Sequence, residues 1–435
     1  MDDLTDGKDL TERLAALTPE QQELFRRRLR EQGLSASAQA AAASAPVGGG
    51  EAGRRAEADA DAEPPPPAPA ESSAEMQFSL FFFSDDGSKD SDEKYRLLVE
   101  GARFADRNGF AAVWTPERHL QPFGGLYPNP SVLCAALAMI TERVELRAGS
   151  VALPLHHPVR VAEEWSVVDN LSRGRVGVSF ASGWHPLDFT LAPHAYAERK
   201  ELLFNYLEIV QRLWAGETLQ FEGVNDENVP VRLLPKPIQP SLPTWITISN
   251  NPETWERAGE IGANVLTALL RQPLDTLARK IALYRESRAR HGHDPKAGLV
   301  TVMAHAFVGE DGASARETVR PVLGQYFRSN MKQLEVQTDL LAGTQGNGGS
   351  FDLSQLRAED ADTVAAYAFE RYFETAMLCG SQAKCMRLVR QLCAIGVNEV
   401  ACLIDFGLSH DTVIEGLGRL NELRESCARA SAAAN

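Results

Sequence analysis

The chain has 435 residues, of which 44% are hydrophobic and 24% charged, an ordinary composition for a globular protein of one large or a few small domains. Its 44 basic residues against 59 acidic residues give a net charge of −15, which does not favour nucleic acid or an anionic membrane as a partner. No apolar run approaches ~20 residues, no secretory signal is recognisable, and the six cysteines contain no CxxC pair, so we expect a cytoplasmic protein with reduced thiols.

The first predicted element is a short amphipathic helix within residues 1–34. Thr18 fits an N-cap, Pro19 fits the first helical position, and Gln21 completes a capping box. A single amphipathic helix cannot bury its own apolar face. Two interpretations therefore stay open, a solvated helix and a docking element for a partner.

A flexible linker is predicted for residues 35–77. The segment is rich in alanine, proline, glycine, serine and acidic residues, a composition that cannot build a core. The run from Gly48 to Gly53 formally matches GxGxxG, but no strand precedes it and no periodic helix follows. We therefore predict no dinucleotide site in the linker.

Residues 78–426 alternate short apolar runs with helical periodicity. The runs are apolar on both faces, as buried parallel strands are. The eight predicted strands are Phe78–Ser84, Ala111–Thr115, Val144–Leu153, Val176–Ala181, Thr244–Ser249, Ala263–Leu269, Leu299–Val308 and Glu399–Phe406. The predicted helices are Asp92–Arg107, Ser131–Thr141, Val159–Leu171, Ala197–Trp214, Pro252–Gly259, Leu274–Arg290, Ala313–Phe327, Asp362–Ala394 and Asp411–Arg424.

Eight such units predict an α/β fold, a (β/α)8 TIM barrel with insertions, with an open doubly wound sheet as the competing topology. The proline-rich loop Gln220–Pro243 predicts a hairpin or excursion, and the loop Met331–Asp360, with its glycine-rich Gly343–Ser350 segment, is a lid candidate. Residues 427–435 are predicted to form a disordered tail.

Polar residues follow the second predicted strand, where a barrel presents its chemistry. Glu117, Arg118 and His119 are the candidate catalytic residues. His119 suits proton transfer near neutral pH. For Glu117 and Arg118, an ion pair that merely closes the barrel is the alternative.

Small residues end the third and fourth strands. Gly149 and Ser150 remove side-chain bulk where a flat ligand could lie against the backbone. The adjacent His156 and His157 are interpreted as loop structure, and no metal site is predicted. The segment Ser182-Gly183-Trp184 suits the edge and phosphate of a nucleotide-like cofactor.

The fifth strand leads into Ser249, Asn250, Asn251 and Thr254, which open a helix. Helix N–H groups flanked by hydroxyl and amide donors suit a phosphate. A simple cap, with Asn251 at the N-cap and Pro252 at the first position, would look the same. From the residues alone, the sequence indicates a barrel enzyme with a phosphate-tolerant mouth.

At these residues the sequence resembles the bacterial luciferase-like flavin monooxygenases, over residues 78–424. The most specific stretches are Gly149–Glu164, which reads GSVALPLHHPVRVAEE, and Val168–Arg175, which reads VDNLSRGR. Within the family, the chain looks most like the luciferase-like domains of nonribosomal peptide and polyketide assembly lines. That likeness rests on Trp114–His119, Phe369–Thr375 and Cys402–Gly407, and residues 1–34 resemble docking pieces of the same systems.

The resemblance implies reduced FMN at the barrel mouth, reacting with O2 to a C4a-(hydro)peroxide that oxygenates a carrier-bound acyl or peptidyl substrate. Gly149 and Ser150 match the small residues against the isoalloxazine. His119 matches the second of two consecutive histidines in luciferase, and Arg118 stands in place of the first. Ser182 stands where luciferase has an arginine to the phosphate.

The remaining cofactor residues implied by the resemblance contact the flavin or its phosphate: Ser182, Gly183, Trp184, Ser249, Asn250, Asn251 and Thr254. The implied partners are a separate NAD(P)H-dependent flavin reductase and a carrier protein or megasynthase, and we expect a homodimer. Two alternatives stay open, an F420-dependent oxidoreductase on the same barrel and a non-catalytic flavin- or carrier-binding accessory protein.

Overall fold

The computed structural model describes residues 76–83, 93–122, 124–334 and 369–434. Residues Ala68–Leu323 and Tyr372–Asn435 form one compact unit, which contains every strand described. The second unit combines Met1–Pro67 with Gly324–Arg371, and its described residues, 324–334 and 369–371, are helical. The predicted N-terminal helix, nearly all of the linker and the Gly343–Ser350 lid candidate lie outside the described residues.

Eight parallel strands close into a barrel. The strands of the structure are β1 (Gln77–Phe81), β2 (Ala112–Thr115), β3 (Glu145–Ala152), β4 (Val176–Ala181), β5 (Thr218–Glu222), β6 (Asn228–Arg232), β7 (Thr244–Thr247), β8 (Asn264–Ala268), β9 (Val300–Val308), β10 (Leu378–Gly380) and β11 (Glu399–Leu403). The barrel order is β1-β2-β3-β4-β7-β8-β9-β11. The circle closes where β11 pairs with β1, with Gln77 opposite Glu399. The (β/α)8 prediction is therefore confirmed, and the open sheet is excluded.

Helices connect the strands, as the right-handed crossovers of parallel strands require. They are α1 (Arg96–Asn108), α2 (Pro130–Ala138), α3 (Pro158–Ser172), α4 (Arg199–Trp214), α5 (Pro252–Glu260), α6 (Leu274–Arg290), α7 (Gly312–Leu334), α8 (Gln382–Ala394) and α9 (His410–Ala434). In the described part of the chain, no helix has both the length and the apolarity to cross a membrane.

Two predictions near the C-terminus are wrong. The helix predicted for Asp362–Ala394 is interrupted by strand β10, because Gly380 takes a positive φ of 133° and Ser381 caps α8 through the Lys384 N–H. The tail predicted as disordered from residue 427 continues α9 as far as Ala434.

The proline-rich excursion folds as predicted. Strands β5 and β6 pair antiparallel as a separate hairpin, with Thr218 opposite Arg232 and Glu222 opposite Asn228. All six cysteines lie within the described residues and carry free thiols.

A charged pair lies inside the barrel. The Arg147 guanidinium donates to Glu399 Oε2 at 2.7 Å, and the side chains are 2% and 0% exposed. Trp114 Nε1 and Ser79 Oγ donate to the other carboxylate oxygen of Glu399. Arg147 also lies over the rings of Trp114 and Trp245, with its central carbon 4.9 and 4.4 Å from their centroids. This pair fixes the interior beneath the barrel mouth.

Candidate functional site

A carboxylate shared by two imidazoles lies at the end of β2. Glu117 Oε1 is 2.9 Å from Nε2 of His119 and 2.5 Å from Nε2 of His156. Its second oxygen accepts the backbone N–H of Ala152 at 2.6 Å. The Glu117 side chain is 2% exposed, so three donors surround a carboxylate that water scarcely reaches.

The same contacts set the protonation of the cluster. Burial alone would raise the pKa of Glu117, but hydrogen bonds from His119 and His156 outweigh it and hold that pKa below its usual value. Burial would lower the pKa of His156, but the hydrogen bond and negative charge of Glu117 raise it instead. The cluster therefore favours an ionised Glu117 and a protonated His156.

These three residues also form a set of metal-type donors. The ligand atoms of Glu117, His119 and His156 lie within 4.8 Å of one another. At 2.5 and 2.9 Å the nitrogen–oxygen separations are hydrogen-bond distances. Two ligands held about 2.0–2.1 Å from zinc in a tetrahedral arrangement must lie farther apart than these pairs. Hydrogen bonds from His119 and His156 to Glu117 therefore account for the observed distances.

Arg118 turns away from this cluster. Its guanidinium lies 3.3 Å from Asp188 Oδ2, with side chains 2% and 8% exposed, and 4.8 Å from the centroid of the Trp184 ring. The backbone N–H of His119 contacts the other oxygen of Asp188 at 3.3 Å. The Glu117–Arg118 ion pair that the sequence left open as the alternative does not form, because Glu117 binds His156 and Arg118 binds Asp188, each from a later loop.

The end of β3 carries the small residues that the sequence singled out. Gly149 and Ser150 are joined by a cis peptide bond. A Cβ on Gly149 would lie 2.7 Å from a ring carbon of Phe81 and 3.0 Å from one of Trp114, so only glycine fits. Ser150 Oγ lies 2.8 Å from Thr247 Oγ1, which in turn lies 2.6 Å from Ser179 Oγ. A row of hydroxyls from three strands thus accompanies Ser150.

The loop after β4 combines a constrained turn with an exposed ring. Gly183 has a φ of 73°, and a Cβ there would lie 2.7 Å from the Phe189 ring. Trp184 is 46% exposed although it packs against Arg118 and against the edge of His185. An exposed tryptophan held in place by its neighbours is suited to contact a ligand.

The loop after β7 leads into α5. Asn251 caps this helix, since its side chain accepts the Glu253 N–H at 3.0 Å, and the Thr254 N–H bonds to the Asn251 carbonyl at 3.2 Å. The cap that the sequence offered as the alternative to a phosphate site is therefore present. It occupies the first-turn donors, so the charge of any bound anion must be balanced by other residues.

A buried lysine that no sequence pattern marks as functional lies beside this loop. Lys280 of α6 places Nζ 3.1 Å from Asn250 Oδ1, 2.9 Å from Gln272 Oε1 and 3.5 Å from the Ser249 carbonyl oxygen. The residue is 8% exposed. Burial lowers its pKa.

A buried histidine from β9 completes the described mouth. His305 is 1% exposed, and its Nδ1 lies 2.9 Å from the Tyr372 hydroxyl. Burial lowers the pKa of His305 to about 3. A neutral imidazole at every physiological pH makes His305 a poor proton donor.

This depressed pKa predicts an acid-sensitive fold. Below about pH 6.5 the unfolded chain binds a proton that folded His305 refuses until about pH 3, so stability falls as the pH is lowered between these values, by up to about 1.4 kcal/mol per pH unit. Urea unfolding at several pH values checks this expectation. His305→Gln should flatten the slope, and an unchanged slope would assign the acid sensitivity to other groups.

Comparisons with known proteins agree with this architecture. The model of the family described as "Luciferase-like monooxygenase" matches residues 76–399. The oxygenase component of a flavin-dependent trigonelline monooxygenase from Acinetobacter baylyi is 26% identical over 357 residues, 79% of this chain and 93% of that protein. An alkanal monooxygenase alpha chain from Photorhabdus luminescens is 23% identical, covering 75% of this chain and 89% of that one.

Solved structures share the fold. The monooxygenase RslO1 from Streptomyces bottropensis has a TM-score of 0.65 at 22% identity, covering 80% of this chain and 98% of that one. The oxygenating constituent of 3,6-diketocamphane monooxygenase from Pseudomonas putida, a type II Baeyer–Villiger monooxygenase solved with FMN, has a TM-score of 0.62 at 18% identity over 80% and 96% of the chains. An F420-dependent secondary alcohol dehydrogenase has a TM-score of 0.58 at 16% identity over 79% and 98%.

Proposed function

Because the chain belongs to the luciferase-like monooxygenase family, we propose that it is an FMN-dependent monooxygenase that receives reduced flavin from a separate NAD(P)H-dependent reductase. The relative from Acinetobacter baylyi is named as an oxygenase component, which supports a two-component arrangement. In the sequence, no strand pattern precedes the GxGxxG match of residues 48–53 and no periodic helix pattern follows it, which supports a reductase on another chain.

The residues at the barrel mouth fit a flavin nucleotide. Gly149 packs against the rings of Phe81 and Trp114, and Ser150, held by Thr247 and Ser179, presents a hydroxyl to a polar ring edge. Trp184 offers an exposed aromatic surface. When bound, reduced flavin would supply the electrons that reduce O2, and one of the two oxygen atoms would enter the substrate.

The observation that carries the proposal is the carboxylate shared between two imidazoles. An ionised Glu117 accepts from Nε2 of both His119 and His156, which leaves Nδ1 of His119 to take or give a proton. His119 is positioned for this work because Glu117 is itself fixed by the Ala152 N–H. Arg118, which stands in place of luciferase's first histidine, is paired with Asp188 and remains protonated, so the proton transfer falls to His119.

The second candidate is an F420-dependent oxidoreductase that transfers hydride without oxygen. Its support is the shared fold of the F420-dependent alcohol dehydrogenase. Titration with reduced FMN and reduced F420, followed by rapid mixing with O2, separates the two. Tight binding of reduced FMN and oxygen-dependent product formation are the expected result, and preference for F420 would overturn it. Flavin binding without turnover on any substrate would point to a non-catalytic accessory protein.

For the substrate, we propose an acyl or peptidyl group held on a carrier protein of a natural-product assembly line. The support is the resemblance of residues 1–34 to docking pieces, followed by a segment whose alanine-, proline- and glycine-rich composition is typical of a tether. The protein is proposed to act in the cytoplasm as a homodimer.

This tether predicts a selective effect of truncation. Deleting residues 1–75, all of which precede the barrel, should slow oxygenation of a carrier-bound substrate because the effective concentration falls. Turnover of a free small-molecule mimic should not change. Steady-state rates on both substrates check the prediction, and equal slowing of both would contradict a docking role.

A further inference from the structure

Lys280 occupies a position where the helix pattern calls for an apolar residue. The buried face of α6 carries Leu277, Ile281 and Tyr284, and Lys280 lies on that same face, 8% exposed. Lysine is almost never buried without a partner, because removing an ammonium ion from water is costly. A cation in such a place is a departure from the folding pattern that calls for a functional reason.

The contacts of Lys280 leave its charge unbalanced. Its three neighbours are neutral oxygens, from Gln272, Asn250 and the Ser249 carbonyl, and the last contact is long at 3.5 Å. Within the described part of the chain, Lys280 forms no ion pair with a carboxylate. Lys280 therefore has hydrogen-bond acceptors but, among the residues that the structure describes, no counter-charge.

The surroundings of Lys280 point to an anion from the barrel mouth. An ammonium ion can only donate, so it fixes the Asn250 amide with its oxygen toward Lys280 and leaves the NH2 group as a donor. Ser249 and Asn250 are exposed, and α5 begins two residues later with its positive dipole end. One buried cation and one oriented amide thus meet at a single exposed loop.

We propose that Lys280 is the cationic anchor for the phosphate monoester of the flavin nucleotide, acting through its charge and through Asn250, which it orients. The proposal rests on the proposed function and adds to it a residue from helix α6, outside the loops that follow the strands. It accounts for Ser182, which stands where luciferase has an arginine, because the positive charge is supplied beside the loop after β7, the barrel neighbour of β4.

The test compares FMN with riboflavin, which lacks the phosphate. Lys280→Met should weaken FMN binding about 10- to 100-fold, as loss of a charge-assisted hydrogen bond does, while riboflavin affinity stays within twofold. Lys280→Arg should restore part of the preference for FMN. Lys296→Met, which removes an exposed lysine, is the matched control and should change neither affinity.

A thermal melt distinguishes an anchor from a structural lysine. If Lys280 is held without a counter-charge for a ligand, Lys280→Met should leave the flavin-free melting temperature unchanged or raised. Lower stability together with equal loss of FMN and riboflavin affinity would overturn the proposal, as would an unchanged preference for FMN.

Binding of inorganic phosphate provides a test of the anion site that does not depend on the flavin. Phosphate should raise the melting temperature of the unmodified protein and not that of Lys280→Met, and an equal rise in both would count against the anchor. Should the unmodified protein bind no flavin while this phosphate difference persists, the function proposed above fails and the anion site stands.

Discussion

Replacing Glu399 with alanine is expected to lower the free energy of unfolding by about 3 kcal/mol, because it removes the buried partner of Arg147 and leaves only the 44%-exposed Glu145, among the described residues, as its counter-charge. Arg147 is 2% exposed and donates to Glu399 at 2.7 Å, so without the carboxylate its guanidinium stays buried in the barrel. Trp114 and Ser79 lose an acceptor at the same time. Urea unfolding followed by circular dichroism measures the change.

Two variants control for the loss of volume. The double variant Arg147→Met with Glu399→Leu removes both charges and should be less destabilised than Glu399→Ala alone. Arg160→Met, which breaks the exposed pair with Glu164, should cost about 0–1 kcal/mol. A single Glu399→Ala variant as stable as the parent would show that the ion pair with Glu145 is enough to balance Arg147.

Replacing His119 with alanine is expected to slow substrate oxygenation by about 10²-fold while leaving flavin affinity nearly intact. The imidazole is fixed by Glu117 at 2.9 Å and is positioned to carry a proton at Nδ1. Glu117→Gln should have a similar effect, because an amide no longer holds both histidines through one charged oxygen. The ratio of product to hydrogen peroxide reports whether the oxygen chemistry stays coupled.

The pH dependence of the oxygenation rate gives the prediction for Glu117 and His119 a second readout. His156 has a raised pKa, so its ion pair with Glu117 is present below about pH 6.5 and is lost as the pH rises through the folded pKa. Glu117 has a lowered pKa, so its contribution is lost only as the pH falls through that value. Glu117→Gln should remove the pH dependence that this ion pair gives to oxygenation. His194→Ala, at an exposed histidine, should leave that pH dependence unchanged.

Some outcomes would contradict the assignment. Loss of flavin binding in His119→Ala, with coupled turnover in the fraction that binds, would make the residue structural. A stoichiometric metal ion in the purified protein that Glu117→Gln loses would replace proton sharing with metal coordination at the three donors.

The barrel was predictable from sequence because its strands are buried on both faces. Val176–Ala181 reads as one apolar run and forms β4 with the same bounds. The family resemblance, read from the motif around Gly149–Glu164, is likewise confirmed. Strand β10 was missed because Leu378–Gly380 is only three residues long and lies between two helical patterns, where periodicity has no room to change.

The site was predicted less completely, because its contacts join residues that are distant in the chain. Glu117 and His119 could be placed at the mouth, but the partner His156 lies 39 positions from Glu117 and reads as part of a loop. Lys280 is a charged residue on an amphipathic helix, which sequence alone assigns to the solvated face. For neither His156 nor Lys280 does the local sequence indicate which residues the fold places beside it.

The hydroxyls beside the Gly149–Ser150 peptide have a direction. Thr247 has one hydroxyl proton and donates it to Ser150, so the 2.6 Å contact between Thr247 and Ser179 must be donated by Ser179. Protons therefore point from β4 through β7 toward β3, and Ser150, at the end of the row, still has its own proton to give. A carbonyl oxygen or an unprotonated ring nitrogen resting over Ser150 can therefore accept that O–H, and the row behind Ser150 sets the direction from which the proton comes.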